Sequence, residues 1–294
     1  MELEFATRCI YGKKEIFEKE STGAISFPIY QTATYAHPEV GESTGFDYSR
    51  LQNPTRQQLE KVVASLEKGV DALAFSSGMA AITALMEIFK PGDHIITDAD
   101  LYGGSIRLFD NISEKNGLTF SHIDCSKEDI AHFVNDKTKA IYIETPTNPM
   151  MNVVDIRKTA EIAKAYNLLL IVDNTFLSPY YPGIQGTKAH EICKSQARGF
   201  GAMITFEVEN SHLAKHIRKH TKLIPFAESL GGVETLLTYP CTQTHADVPE
   251  EVRLANGITD SVLRLSAGIE DSKDLIADLK YAIDSYDGYK ALYI

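Results

Sequence analysis

Between residues 71 and 176 short apolar runs alternate with stretches whose apolar positions recur at helical spacing. The runs at 72–75, 95–97, 118–122, 140–143 and 168–172 predict strands. The stretches at 80–89, 105–115, 127–134 and 156–166 predict the helices between them. Apolar strands alternating with helices imply a mostly parallel sheet covered on both faces, with ligands held beyond the carboxyl ends of its strands. Before this region, 22–35 is turn-rich and extended, and 56–66 predicts an amphipathic helix. After it, 203–208 and 262–266 predict strands and 211–219 and 272–285 helices, an α+β pattern. No internal repeat or low-complexity segment interrupts the chain.

A chain of 294 residues is long enough for a large core and two domains. Its net charge of −11 argues against nucleic acid and anionic membrane surfaces as partners. No run reaches the roughly 18 apolar residues of a membrane span, and the first residues lack the features of a signal peptide. The expected location is the cytoplasm. Cys9, Cys125, Cys193 and Cys241 are widely spaced, which fits reduced thiols better than a disulfide frame or a metal site.

Several segments carry groups suited to chemistry. Ser76-Ser77-Gly78-Met79 joins an apolar run to a helix through small residues, either a phosphate-binding turn or an ordinary connection. Tyr102-Gly103-Gly104-Ser105-Ile106-Arg107 offers a ring to stack on a flat heteroaromatic and a guanidinium to clamp a carboxylate. Tyr48-Ser49-Arg50 lies on an extended arm that could reach a phosphate across a subunit interface, or form a solvated turn. Asn148 sits in the proline-bracketed loop 144–149, and Asp173 ends the apolar run 168–172. Arg264 lies inside an apolar strand, where a buried charge needs a partner: a substrate carboxylate or an internal salt bridge.

In the order YSR…NPTR, SSGMAA, YGGS, ETPTNP, VDNTF, GFGAM, ESLGGVET and RLSAGIED, these segments resemble the Cys/Met-metabolism family of pyridoxal-phosphate enzymes. That family includes cystathionine γ-synthase, the cystathionine lyases and O-acetylhomoserine sulfhydrylase. The resemblance runs from about Gly23 to Ile283 with one break. It implies the fold-type I, aminotransferase-like α/β architecture with a smaller C-terminal α+β domain. It also implies pyridoxal 5'-phosphate as cofactor and trans-sulfuration chemistry, lyase or transferase, on a small sulfur amino acid. Relatives assemble as homodimers or tetramers.

The same resemblance implies roles residue by residue. Gly78 and Met79 would bind the cofactor phosphate, with Tyr48 and Arg50 reaching the phosphate of a neighbouring subunit. Tyr102 would stack on the ring, with Asn148 and Thr175 nearby, and Asp173 would pair with the ring nitrogen, which keeps the ring an electron sink. Arg264 and Ser229 would hold the substrate α-carboxylate, while Arg107 and Glu228 would face its distal part.

The break follows VDNTF. Relatives continue to a His-Ser-x-Thr-Lys motif whose lysine forms the Schiff base; here 178–181 runs into Pro182-Gly183, and about a hundred residues are missing by the length of typical relatives. Thr187-Lys188 offers a lysine in the wrong context, since a nucleophilic lysine needs a desolvated, cofactor-facing position. The expected organisation is an arm and first helix at 1–60, a truncated cofactor-binding domain at 61–181 and an α+β domain at 182–294. The expected function is that of the family with activity in doubt. The alternatives are a non-catalytic cofactor-binding or subunit-pairing remnant, or a non-functional internal-deletion product.

Overall fold

A computed structural model describes residues 7–9, 27–176, 188–197 and 201–286. The chain forms two compact units, Met1–Ala84 and Leu85–Ile294. The division falls within the second helix, not near residue 60, and residues on both sides of the expected boundary at 181 belong to one unit.

In the first unit, helix α1 (Pro54–Glu67) starts at Asn53, whose side chain accepts from the Thr55 and Arg56 amides, and ends at Lys68 in the left-handed region. Helix α2 (Gly78–Met86) is capped by Ser77, whose Oγ accepts from the Ala80 amide at 3.1 Å. The strand expected at 72–75 does not form. Leu73 and Phe75 are exposed, and the Ala74 amide is taken by Glu60 Oε1 at 2.9 Å instead of by a neighbouring strand. An apolar run becomes a strand only where a ladder partner satisfies its backbone, and no described segment supplies one.

The second unit opens with strand β1 (His94–Asp98), followed by helix α3 (Gly103–Leu108), which runs on through a π turn at Phe109–Ser113. Strands β2 (Thr119–Ile123), β3 (Thr138–Glu144) and β4 (Leu169–Asp173) complete a parallel sheet of order β2-β1-β3-β4, with helix α4 (Ile156–Ala165) between β3 and β4. The helix expected at 127–134 is a single 3-10 turn, Ile130–Phe133. Burial explains the apolar character: β1 is buried at every position, and Ile96, Ile141, Ile143, Val154 and Ala163 form one core with Leu170 and Val172 packed against it.

Helix α5 (Lys188–Gln196) precedes an antiparallel sheet of β5 (Met203–Glu207), β6 (Leu236–Thr238) and β7 (Val262–Ser266), ordered β5-β7-β6. Helices α6 (Ser211–His220) and α8 (Ser272–Asp284) pack on this sheet around Leu213, Ile217, Leu237 and Leu263, and the short helix α7 (Glu250–Ala255) lies before β7. Strand β6 and helices α5 and α7 were not anticipated from the sequence. No helix among the described residues is long and apolar enough to cross a membrane.

Candidate functional site

The strand order reverses between β1 and β3, since β2 lies on one side of this pair and β4 on the other. In open parallel sheets the crevice at that reversal, beyond the carboxyl ends of the strands, is where ligands sit. Here those ends carry acids. Asp98 closes β1, and Glu144 and Asp173 close β3 and β4 in direct register. Two loops flank the crevice, one from Asp98 to Tyr102 and one from Thr145 to Val154.

Asp173 is held from both sides. Its Oδ1 accepts from the Thr175 amide at 3.0 Å and the Thr175 hydroxyl at 2.6 Å, and its Oδ2 accepts from the Tyr142 hydroxyl at 2.9 Å. The carboxylate is thereby fixed at the strand end. Thr175 acts here on Asp173, and Tyr142, beside Ile171 on the ladder, is a supporting residue that sequence reasoning missed. A tyrosine within the run 140–143 and a glutamate directly after it, Tyr142 and Glu144, were the available signal.

Glu144 is buried, and its Oε2 accepts from the Tyr102 amide at 2.8 Å, which fixes the turn at the start of α3. Burial first, then the neighbouring Asp173 charge, raises its pKa well above the usual carboxylate range. Deeper in the same loop, burial pushes Asp98 to about 8 and Asp100 to about 7. Asp100 Oδ2 accepts from the Thr147 hydroxyl and from Asn152 Nδ2, so it ties the two loops together. Gly103 allows a close approach: a Cβ there would lie 2.5 Å from the Thr244 carbonyl oxygen. His245, buried beside this junction, contacts the Leu101 carbonyl at 3.2 Å, and burial lowers it to about 4.

Arg264 reaches the site from β7. It is 1% exposed, and its guanidinium donates to Asn148 Oδ1 at 2.9 Å, Thr238 Oγ1 at 3.2 Å and the Ser229 carbonyl at 3.3 Å. The Phe176 ring lies 5.4 Å from its central carbon. All of these partners are neutral, Nε has none, and no ion pair to Arg264 occurs among the described residues. Burial lowers it to about 10, against the attraction of Tyr102, Glu144 and Glu228. The internal salt bridge left open by the sequence is therefore absent among the described residues. A buried cation without a carboxylate is the expected resting state of a site that receives one. Ser229, whose carbonyl helps hold Arg264, adopts a left-handed φ of 94°.

Tyr102, Asn148, Asp173, Thr175, Ser229 and Arg264 thus share this unit, in three bonded groups: Tyr102 with Glu144, Asp173 with Thr175 and Tyr142, and Arg264 with Asn148 and Ser229. Arg107 is on the surface instead, paired with Asp247 at 3.0 Å, and Glu228 is exposed on the loop before Ser229. Tyr48, Arg50, Gly78 and Met79 belong to the first unit. There the Arg50 guanidinium stands 4.9 Å over the Tyr48 ring, both exposed, and the Cβ position of Gly78 opens onto free space at the start of α2. Lys188 begins α5, but its side chain, like the junction at Tyr181-Pro182, lies outside the described residues. No group of metal-ligating side chains occurs among the described residues.

The geometry fits a protonated ring nitrogen at Asp173 and a carboxylate at Arg264, and the open helix start at Gly78 fits an anion. Among the described residues no lysine bonds Asp173, Tyr142 or Glu144, and the side chain of Lys188 lies outside them.

Comparison with known proteins gives a consistent result. The family described as Cys/Met metabolism PLP-dependent enzyme matches in two segments, residues 6–181 and 180–284. The chain is 39% identical to a Bacillus subtilis cystathionine gamma-synthase/O-acetylhomoserine (thiol)-lyase over 345 aligned positions, which cover 90% of this chain and 92% of that relative. It is 34% identical to a Lactococcus lactis cystathionine beta-lyase, covering 95% and 98% of the two chains. The structure is similar to that of Lactobacillus plantarum cystathionine gamma-lyase complexed with L-serine, with a TM-score of 0.88, 32% identity and coverage of 96% and 99%. It also matches Xanthomonas oryzae cystathionine gamma synthase in complex with aminoacrylate and cysteine, at a TM-score of 0.90, 27% identity and coverage of 97% and 98%.

Proposed function

The chain belongs to the Cys/Met-metabolism family of pyridoxal-phosphate-dependent enzymes, of the cystathionine synthase and lyase type, and we propose that it keeps the family's non-covalent ligand contacts while lacking its Schiff-base lysine. The cofactor's contribution, when bound, is an electron sink for charge at the substrate's α and β carbons.

The chain's own residues have separable parts in this reading. In the second unit Tyr142 and Thr175 orient Asp173 toward a ring nitrogen, and Tyr102 supplies a stacking face. Arg264, held by Asn148 and Ser229, receives an amino-acid carboxylate. In the first unit Gly78 and Met79 present amides to a phosphate, and Tyr48 and Arg50 offer a second phosphate contact across a homo-oligomer interface. Arg107 and Glu228, both exposed, are assigned to the distal end of a sulfur amino acid.

The observation that carries the proposal is the pairing of an intact Asp173 and an unneutralised Arg264 with a sequence that lacks the His-Ser-x-Thr-Lys motif. Two features of the comparisons support a missing internal segment. The family match breaks at 180–181, beside the junction inferred from the sequence. The alignment with the Bacillus synthase uses 345 positions, whereas 90% of 294 residues is about 265, so about 80 of its positions face no residue here. Without a lysine at the reactive carbon, no base remains to move protons along the substrate.

The test is to add pyridoxal phosphate to the purified protein, treat it with borohydride and map the reduced peptides. The proposal expects cofactor binding that Asp173→Asn weakens, with no lysine labelled stoichiometrically. Stoichiometric labelling of one lysine overturns it, and Lys188 is the first peptide to inspect.

A further inference from the structure

Phe176, whose ring lies 5.4 Å from the central carbon of Arg264, belongs to a small apolar cluster. Met151, Phe176 and Met203 are buried together, and Leu230 packs against them. Each comes from a segment that carries a group of the site. Phe176 follows Thr175, whose amide and hydroxyl bond Asp173. Leu230 follows Ser229, whose carbonyl accepts from Arg264. Met151 shares a loop with Asn148, whose Oδ1 accepts from Arg264 as well. Met203 stands opposite Ser266 on β7, two residues along from Arg264.

The cluster is tightly held. Phe176 and Met151 are 1% and 0% exposed. Met151 keeps its place with φ at 64°, a left-handed conformation that a residue with a side chain adopts only where its surroundings impose it. The ring of Phe176 is thereby fixed, and among the described residues it is the one aromatic ring stacked against Arg264. Neutral oxygens take guanidinium hydrogens at the edge of the group. The ring offers its electron-rich face to the charge itself, and that attraction is strongest away from water.

We propose that Phe176 is the positioning residue of the carboxylate site: its ring holds the Arg264 guanidinium in register with Asn148 and Ser229 before a carboxylate arrives. This role rests on the reading of Arg264 as the receiver of an amino-acid carboxylate. Under it, the segment after β4 serves both parts of the site, with Thr175 acting on Asp173 and Phe176 on Arg264. A leucine at 176 is apolar and fills much of the same volume but has no ring face, so it spares most of the packing and removes the attraction.

A double-mutant cycle tests the pair. Phe176→Leu and Arg264→Gln are made singly and together, and the unfolding equilibrium is read from urea midpoints. Phe176→Leu is expected to raise the unfolding constant by roughly 2- to 30-fold more in the parent chain than in the Arg264→Gln background. A packing role alone gives the same factor in both. Phe176→Met completes the cycle where the leucine variant does not fold. The second readout is the rise in melting temperature given, with pyridoxal phosphate present, by L-alanine and by ethylamine, the same molecule without its carboxylate. Phe176→Leu is expected to lower the L-alanine shift and to leave the ethylamine shift unchanged. Equal factors in the two backgrounds, an L-alanine shift that the variant leaves intact, or an equal loss for both ligands overturns the proposal. A parent chain that L-alanine stabilises no better than ethylamine overturns the reading of Arg264 and the role of Phe176 with it, so the two failures are told apart.

Discussion

Replacing Arg264 with methionine separates a ligand-receiving cation from a structural one. A guanidinium lowered by burial to about 10 has its charged form disfavoured in the folded protein by about 3 kcal/mol. The sign follows from the lowered value: the cost is present throughout the range below about pH 10 and is relieved only as pH rises from there toward the ordinary arginine value. Methionine removes that cost. Against it stand the lost hydrogen bonds. Thr238 still donates to the Ala227 carbonyl and Ser229 is exposed, so Asn148 Oδ1 is the one buried acceptor left short, at roughly 1–3 kcal/mol. The terms nearly cancel, and the free protein is expected to change stability by less than about 2 kcal/mol, whereas breaking a buried salt bridge costs roughly 3–5 kcal/mol. The assay is urea unfolding followed by far-UV circular dichroism, because the chain has no tryptophan. Stabilisation by an amino-acid substrate in the presence of cofactor is expected to vanish in the same variant. A loss of 3 kcal/mol or more without ligand would refute the reasoning, since it would mean that Arg264 already has an anionic partner.

Two further outcomes follow from neighbouring groups. Asp98 and Asp100 hold their protons to about pH 8 and 7, so their contribution to stability is present in acid and is lost as pH rises from about 4 through those values. Asp98→Asn is expected to remove up to about 1.4 kcal/mol per pH unit of that decline between pH 5 and 7, leaving the share of Asp100, and urea midpoints with an unchanged slope would count against it. Gly103→Ala drives a methyl group to within 2.5 Å of the Thr244 carbonyl oxygen, and is expected to cost roughly 1–3 kcal/mol despite the better helix propensity of alanine. A melting temperature equal to or above that of the parent chain would show that this junction yields.

The sequence by itself determined the parallel-sheet half of the fold and its family. The runs at 95–97 and 140–143 became the buried central strands, because a strand buried on both faces must be apolar at successive positions, and those at 118–122 and 168–172 became the partly exposed strands β2 and β4 at the two ends of the sheet. The expected strand at 262–266 coincides with β7 for the same reason. It also determined that Asp173 closes a strand, since a carboxylate ending an apolar run marks the strand's carboxyl end. Tertiary structure decided the rest. The run at 72–75 is as apolar as its neighbours yet forms no strand, because ladder bonds come from an adjacent strand and local sequence cannot supply one. β6 has only three residues and depends on β7 for its existence. Whether Arg264 met an acid or neutral dipoles was likewise undecidable from sequence, because Asn148, Ser229 and Thr238 reach it from separate segments. The surroundings of a buried charge are set by which segments the fold brings together.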